Sequence, residues 1–227
     1  ETDRKPLIVW GARQVGKTYL VKDIFAEEYY PDAYIYIDFK IEDEIRDFCD
    51  HTANAEKIIE YISLYKGKDI NKNTLLIFDE IQECPNIISS LKYFCQDFRE
   101  IPVIATGSMV RIRLQRELTR NGSTQKFMFP VGKIEQLTIY PLSFDEFLLN
   151  SNEKLFNVTK KAYESRTPLN SSIHELVLNE FYKYLLIGGM PEAVNTYFEY
   201  NSFLESRRVL KAVSYTHLRA HETSQDL

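Results

Sequence analysis

Pro6-Leu-Ile-Val-Trp10, Gly11-Ala12-Arg13-Gln14-Val15-Gly16-Lys17-Thr18 and Tyr19-Leu-Val-Lys-Asp-Ile-Phe25 follow one another without a break. An apolar β-prone run stops at a glycine, an eight-residue loop follows, and a helical period begins. The loop has the spacing G-x-x-x-x-G-K-[ST] of a phosphate-binding loop, and a strand before it with a helix after it is the setting that loop requires. Each part has a physical task. Gly11 and Gly16 permit torsions and close approaches that a side chain would block. Backbone N–H groups through Ala12, Arg13, Gln14 and Val15 then point inward at a phosphate, and the start of the following helix adds the favourable end of its dipole. Lys17 supplies a cation to the β- and γ-phosphates, and Thr18 supplies a hydroxyl to Mg2+.

The rest of the chain repeats the strand–helix alternation. Ala33–Phe39, Thr74–Phe78, Pro102–Thr106 and Lys133–Tyr140 read as strands, and Glu42–Cys49, Ala55–Leu64 and Pro85–Phe98 read as helices. Alternation of this kind predicts an α/β fold, a parallel sheet flanked by helices. Leu75-Leu-Ile-Phe78-Asp79-Glu80 is a buried strand ending in two acids. Alone it reads as a strand with a solvated acidic turn. Downstream of a complete phosphate loop, Asp79 is placed to hold Mg2+ and Glu80 to polarise an attacking water. Ile104-Ala-Thr106-Gly107-Ser108 ends the next strand, so Thr106 or Ser108 could touch the γ-phosphate or the lytic water; Ser108 could equally cap a following helix. Arg111, Arg113, Arg116 and Arg120 could include an arginine finger, although such a run is more often a solvated helix face. Arg116–Gln125 reads as an exposed loop.

Composition narrows the function classes. With 44% hydrophobic and 27% charged residues among 227, wholesale disorder is excluded. A net charge of −5 argues against a stand-alone, charge-driven nucleic-acid binder. Lys126–Phe129 and Phe181–Tyr184 interleave basic and aromatic residues, which packing explains better than base stacking. No apolar run reaches the roughly 20 residues that span a bilayer, so no membrane partner is expected. Three cysteines without a CxxC pair suit a reducing, cytoplasmic location, and the Asn-x-Ser/Thr sites are then incidental. His51 and His174 have no ligand-spaced partners, so the only metal expected is Mg2+ brought with ATP.

After Pro141 the pattern turns helical. Residues 1–150 are expected to form the nucleotide-binding core and residues 151–212 a small helical lid subdomain with the start of a C-terminal region. Ser151–Ser172, being polar, reads as a linker. Val213–Thr223 shows no helical or strand period and resembles the translation of a transposase sequencing adaptor. Residues 213–227 are therefore expected to be a non-native tail, which removes His217 and His221 from any metal argument. The start, directly on a strand, is expected to be a cut.

Gly11–Thr18, Phe78-Asp-Glu-Ile-Gln82 and Ala105-Thr-Gly-Ser108 together resemble the prokaryotic ATPases of the AAA+ superfamily. So do Phe129-Pro-Val-Gly-Lys133, Tyr140-Pro-Leu-Ser-Phe-Asp-Glu-Phe147 and Gly188-Gly-Met-Pro-Glu192. The resemblance implies a P-loop core, a helical lid and a further C-terminal domain that this chain largely lacks. It supplies no clear lid arginine; Arg207 and Arg208 are candidates by default. The leading expectation is an Mg2+-dependent ATPase whose turnover moves an unknown protein partner or C-terminal domain. The alternatives are a slow nucleotide-loaded switch and a DNA-acting ATPase, the latter disfavoured by charge. No Asn-Lys-x-Asp guanine motif follows the fourth strand. Residues do not decide the partner or the oligomeric state.

Overall fold

Five short apolar runs form the sheet: Leu7–Gly11 (β1), Tyr34–Asp38 (β2), Leu75–Asp79 (β3), Val103–Gly107 (β4) and Glu135–Ile139 (β5). The computed structural model describes residues 4–108 and 130–222, with side chains of the last helix as far as residue 212. The strands lie in the order β2-β3-β4-β1-β5 and every pair is parallel. All carboxyl ends therefore point to one edge. The register sets Asp38 beside Asp79, Val9 beside Thr106, and Gly11 beside Ile139. β3 and β4 are buried along their whole length, as near-continuous apolar runs in a parallel sheet should be. β5 is an edge strand, largely exposed.

Period-two alternation divides the core between the two faces of the sheet. Ile8, Trp10, Ile35, Ile37, Leu76 and Phe78 pack on one side with residues of Asp43–Asp50 (α2), Ala55–Lys66 (α3) and Pro85–Asp97 (α4). Val9, Leu75, Ile77 and Ile104 pack on the other with Val21 and Ala26 of the helix that follows the loop. That helix (α1) departs from the expected α-helix. Its residues Tyr19–Ala26 are wound as a π-helix, between an α-helical start at Lys17 and Thr18 and an α-helical last turn, Glu27–Tyr29. π segments are rare and collect at functional sites. Pro85 sits in the first turn of α4, where its missing N–H costs nothing.

The chain divides into two compact units, 1–139 and 140–227. The second unit holds Phe144–Ser151 (α5), Glu153–Ser165 (α6), Ser171–Ile187 (α7), Pro191–Tyr200 (α8) and Phe203–Glu222 (α9). Phe147, Ile187, Val194 and Tyr197 form its core. Ser143 and Glu146 make a reciprocal capping box at the start of α5.

Two expectations fail here. The polar stretch 151–172 is not a linker but contains α6 and the start of α7. Asn152 caps α6 by accepting from the Leu155 N–H, and Asn170 caps α7 by accepting from Ile173. Local capping of this kind starts a helix with few apolar residues. The backbone is also helical through residue 222, although Val213–Thr223 shows no helical period.

The two motifs at 140–147 and 188–192 meet. The Leu142 N–H donates to the Gly189 carbonyl at 2.7 Å, and the Tyr184 hydroxyl donates to the Leu142 carbonyl at 2.9 Å. A Cβ at Gly189 would lie 2.1 Å from that carbonyl oxygen. Among the described residues, no helix is long and apolar enough to cross a membrane.

Candidate nucleotide site

The loop occupies the carboxyl edge of the sheet, between β1 and α1. Its two glycines have separate tasks. At Gly11 a Cβ would fall 2.7 Å from the Ile139 carbonyl oxygen and 2.9 Å from Val15 Cγ2, so the demand is for space. At Gly16 nothing lies within 4 Å of a Cβ, but φ is +87°, so the demand is for torsion. Gln14 also adopts a left-handed φ of 62°, unfavourable for a residue with a side chain. Lys17 is buried at 7% exposure, and its ammonium donates to the Ala12 carbonyl at 2.8 Å and the Gly11 carbonyl at 3.3 Å. Burial pushes its pKa below the ordinary lysine range, more strongly than Glu80 and Asp79 draw it up.

Thr18 joins the loop to β3. Its hydroxyl donates to Asp79 Oδ2 at 2.7 Å. Asp79, the last residue of β3, is 3% exposed. A buried carboxylate needs donors, and this one has four. Besides Thr18, the Tyr36 hydroxyl reaches Oδ2 at 2.8 Å, the Thr106 hydroxyl reaches Oδ1, and the Glu80 N–H reaches Oδ1 at 2.8 Å. Thr18 at the end of the loop, Tyr36 of β2, the turn after β3 and Thr106 of β4 thus converge on one side chain. Burial first, and then the bond to Asp79, raise the Tyr36 pKa, which keeps the phenol a donor. Asp38 lies beside Asp79 in register, and burial raises its pKa, opposed by the Lys40 N–H.

Glu80 follows at φ 53°, a left-handed position. Such a conformation costs on the order of 1–3 kcal/mol in a residue other than glycine and concentrates at functional sites. The kink turns the chain into the short 3-10 turn Ile81–Glu83 and brings the Gln82 side chain back beneath Glu80. The Gln82 amide donates to Glu80 Oε2, and its carbonyl accepts the Ser108 N–H at 3.1 Å. Gln82 is 1% exposed and Ser108 7%.

The sequence-derived candidates on the loop are therefore brought together with Asp79 and Thr106. Glu80 and Ser108 lie close by and are linked through Gln82. Arg111, Arg113, Arg116, Arg120, the loop 116–125 and Lys126–Phe129 fall outside the described residues. Arg207 and Arg208 belong to α9 of the second unit, where Arg208 pairs with Glu205 at 2.5 Å. The His51 ring bonds within its own helix turn, to the Asp47 carbonyl at 2.6 Å. Sequence reasoning missed Tyr36, which has no motif to mark it, and gave no role to Gln82, although it stands in the acidic motif.

The donor set suits one metal class. Among the described residues no three His, Cys, Asp or Glu side chains gather as a metal cluster. One hydroxyl and one carboxylate, 2.7 Å apart, are instead a partial set of hard oxygen donors. Mg2+ is commonly held by one or two carboxylates together with waters and substrate phosphates, and these residues fit it.

A family model described as an AAA domain matches residues 3–148. No curated protein is matched by the sequence. Among solved structures, the Walker-type ATPase paby2304 of Pyrococcus abyssi aligns with a TM-score of 0.53 at 16% identity, over 98% of this chain and 71% of that one. AMPPCP-bound DnaA from Aquifex aeolicus aligns with a TM-score of 0.42 at 15% identity, over 86% of this chain and 54% of that one. The first of these likenesses is one of fold.

Proposed function

The chain belongs to the AAA domain family, and from that premise we propose that it is an Mg2+-dependent ATPase, converting ATP and water to ADP and phosphate. The observation that carries the reading is the convergence of Lys17 and Thr18 from the loop with Asp79 from β3, Thr18 and Asp79 being in direct hydrogen bond. In this reading the loop N–H groups and Lys17 bind the phosphates. Binding needs the Lys17 ammonium to leave the Ala12 carbonyl and turn outward. Thr18 and Asp79 hold Mg2+, which neutralises charge on the phosphate oxygens when bound. Tyr36 and Thr106 keep the Asp79 carboxylate oriented. Glu80 takes a proton from water as the water oxygen attacks the γ-phosphorus and the bond to the β,γ-bridging oxygen breaks. The free energy released would drive a conformational change in a protein partner or in a further domain.

Glu80→Gln separates binding from chemistry, because it keeps the shape and removes the base. Single-turnover hydrolysis should slow by about 10²-fold or more, while ATP affinity stays near that of the wild type. Asp79→Asn should impair both. A Glu80→Gln protein that hydrolyses at the wild-type rate would return the chain to the slow-switch reading.

A further inference from the structure

Gln82 is left without a task by the reading above, although it is among the most deeply buried polar side chains described. Its two amide atoms face different elements. Nε2 donates to the Glu80 carboxylate, which belongs to the turn after β3. Oε1 accepts from the Ser108 N–H, which stands just past the end of β4. A single planar group therefore sets the separation between the carboxylate and the β4 terminus. Only glutamine offers a donor and an acceptor at that reach; asparagine is one methylene short. Space around the group is tight. A Cβ at Gly107 would sit 3.0 Å from Gln82 Oε1 and 2.9 Å from Ile81 Cγ1, so the glycine before Ser108 makes room for the amide. The left-handed backbone at Glu80 turns the chain so that residue 82 comes beneath residue 80.

We propose that Gln82 is a positioning residue: its carboxamide holds Glu80 in a fixed relation to the β4 terminus, so that water attached to Glu80 and a phosphate near Ser108 stay in register. The proposal rests on the reading of Glu80 as the base. It assigns a physical reason to the glutamine of the Asp-Glu-Ile-Gln sequence and to the glycine of Thr-Gly-Ser. A displacement of β4 on nucleotide binding would be passed to Glu80 through the same amide, without a contact between Glu80 and the phosphate.

The test is a double-mutant cycle on the whole chain, using Gln82→Met, which fills the same space, and Glu80→Gln. Gln82→Met should lower single-turnover hydrolysis by about 10- to 100-fold, the usual consequence of a misplaced reacting group, with the ATP dissociation constant within about 2-fold of wild type. In the Glu80→Gln background the same change should have no further effect. A purely structural role would lower activity by the same factor in both backgrounds, and that result overturns the proposal. So does a wild-type rate in Gln82→Met while Glu80→Gln is slow. Full activity in Glu80→Gln instead removes the base assignment itself. If Gln82→Met does not fold, Gln82→Glu decides. It keeps an acceptor for the Ser108 N–H but sets a second carboxyl against Glu80, and a wild-type rate there also overturns the proposal.

Discussion

Gly11→Ala and Gly16→Ala are the same chemical change at two ends of one loop, and the structure predicts different failures. At Gly11 the new methyl would meet the Ile139 carbonyl oxygen at 2.7 Å and Val15 Cγ2 at 2.9 Å, with Lys17 Cδ at 3.4 Å. The first of these is backbone, so no rotamer relieves it. β1 and β5 must part at Gly11–Ile139, or the loop must lift. Overpacking of this kind costs about 1–3 kcal/mol. For a unit of this size each kcal/mol lowers Tm by about 3–5 °C, so a fall of about 3–15 °C is expected. Because Val15 and Lys17 flank the methyl, ATP affinity should fall too. At Gly16 no atom is met; the cost is the left-handed backbone alone, about 1–2 kcal/mol. Gly16→Ala should therefore cost less stability but distort the turn that aims the loop amides. The assay is thermal unfolding beside isothermal titration with MgATP for both variants. A Gly11→Ala protein that melts within about 1 °C of wild type and binds ATP equally well would refute the close-approach argument.

Lys17→Ala should weaken ATP binding by about 10- to 150-fold, a charge-assisted contact being worth about 1.5–3 kcal/mol, and titration calorimetry reads it directly. Cys49, Cys84 and Cys95 are free and buried, so thiol reagents should find none in the native protein and three in denaturant. Burial pushes the Cys49 thiol up to about 12 and raises Cys84 as well. The native state then keeps protons that the unfolded chain loses near pH 8.5. Stability should fall as pH rises above that, by up to about 1.4 kcal/mol per pH unit for each thiol. Urea unfolding at pH 8 and pH 10 measures it, and a flat profile would contradict thiol burial. Gly189→Ala should disrupt the second unit, because its methyl would meet the Leu142 carbonyl oxygen at 2.1 Å. Loss of that tie and of the Tyr184 bond, at about 0.5–1.5 kcal/mol each, adds to the overpacking, and circular dichroism in urea reports the sum.

Sequence patterns reached different depths in different parts of this chain. β1 to β4 were legible because a parallel strand buried on both faces is a short continuous apolar run, and four such runs stand between helical periods. The edge strand β5 was legible only to within two residues at its start, since its exposed Glu135-Gln-Leu-Thr carries little apolar signal. α6 was read as a linker because its apolar positions are few, whereas its start is fixed by one local bond from Leu155 to Asn152. The π winding of Tyr19–Ala26 has no sequence period of its own. In the site, the loop follows from the spacing of its glycines, Lys17 and Thr18, and Asp79 from its place at the end of a buried apolar strand. Tyr36 does not, since it reaches Asp79 from the neighbouring strand β2, two positions before the Asp38–Asp79 pair, and reads like any strand tyrosine. Gln82 was visible as a letter but not as a bridge, because the bridge exists only when the β4 terminus lies beside the β3 turn.

Trp10, the sole tryptophan of the chain, is 2% exposed and stands one residue before the end of β1, the strand on which the loop is mounted. Its indole N–H donates to Gln136 at 2.8 Å, and its ring lies 3.3 Å from where a Cβ of Gly107 would be. Its emission should therefore be blue-shifted, with the Gln136 side-chain carbonyl to tune it. Any lift of Gly11, slip of β5 or shift at the end of β4 would change that environment. The protein thus contains an unlabelled optical probe at the base of its loop. A titration of intrinsic fluorescence with MgATP, compared with the same titration of Lys17→Ala, would separate occupancy of the loop from inner-filter absorption by the nucleotide.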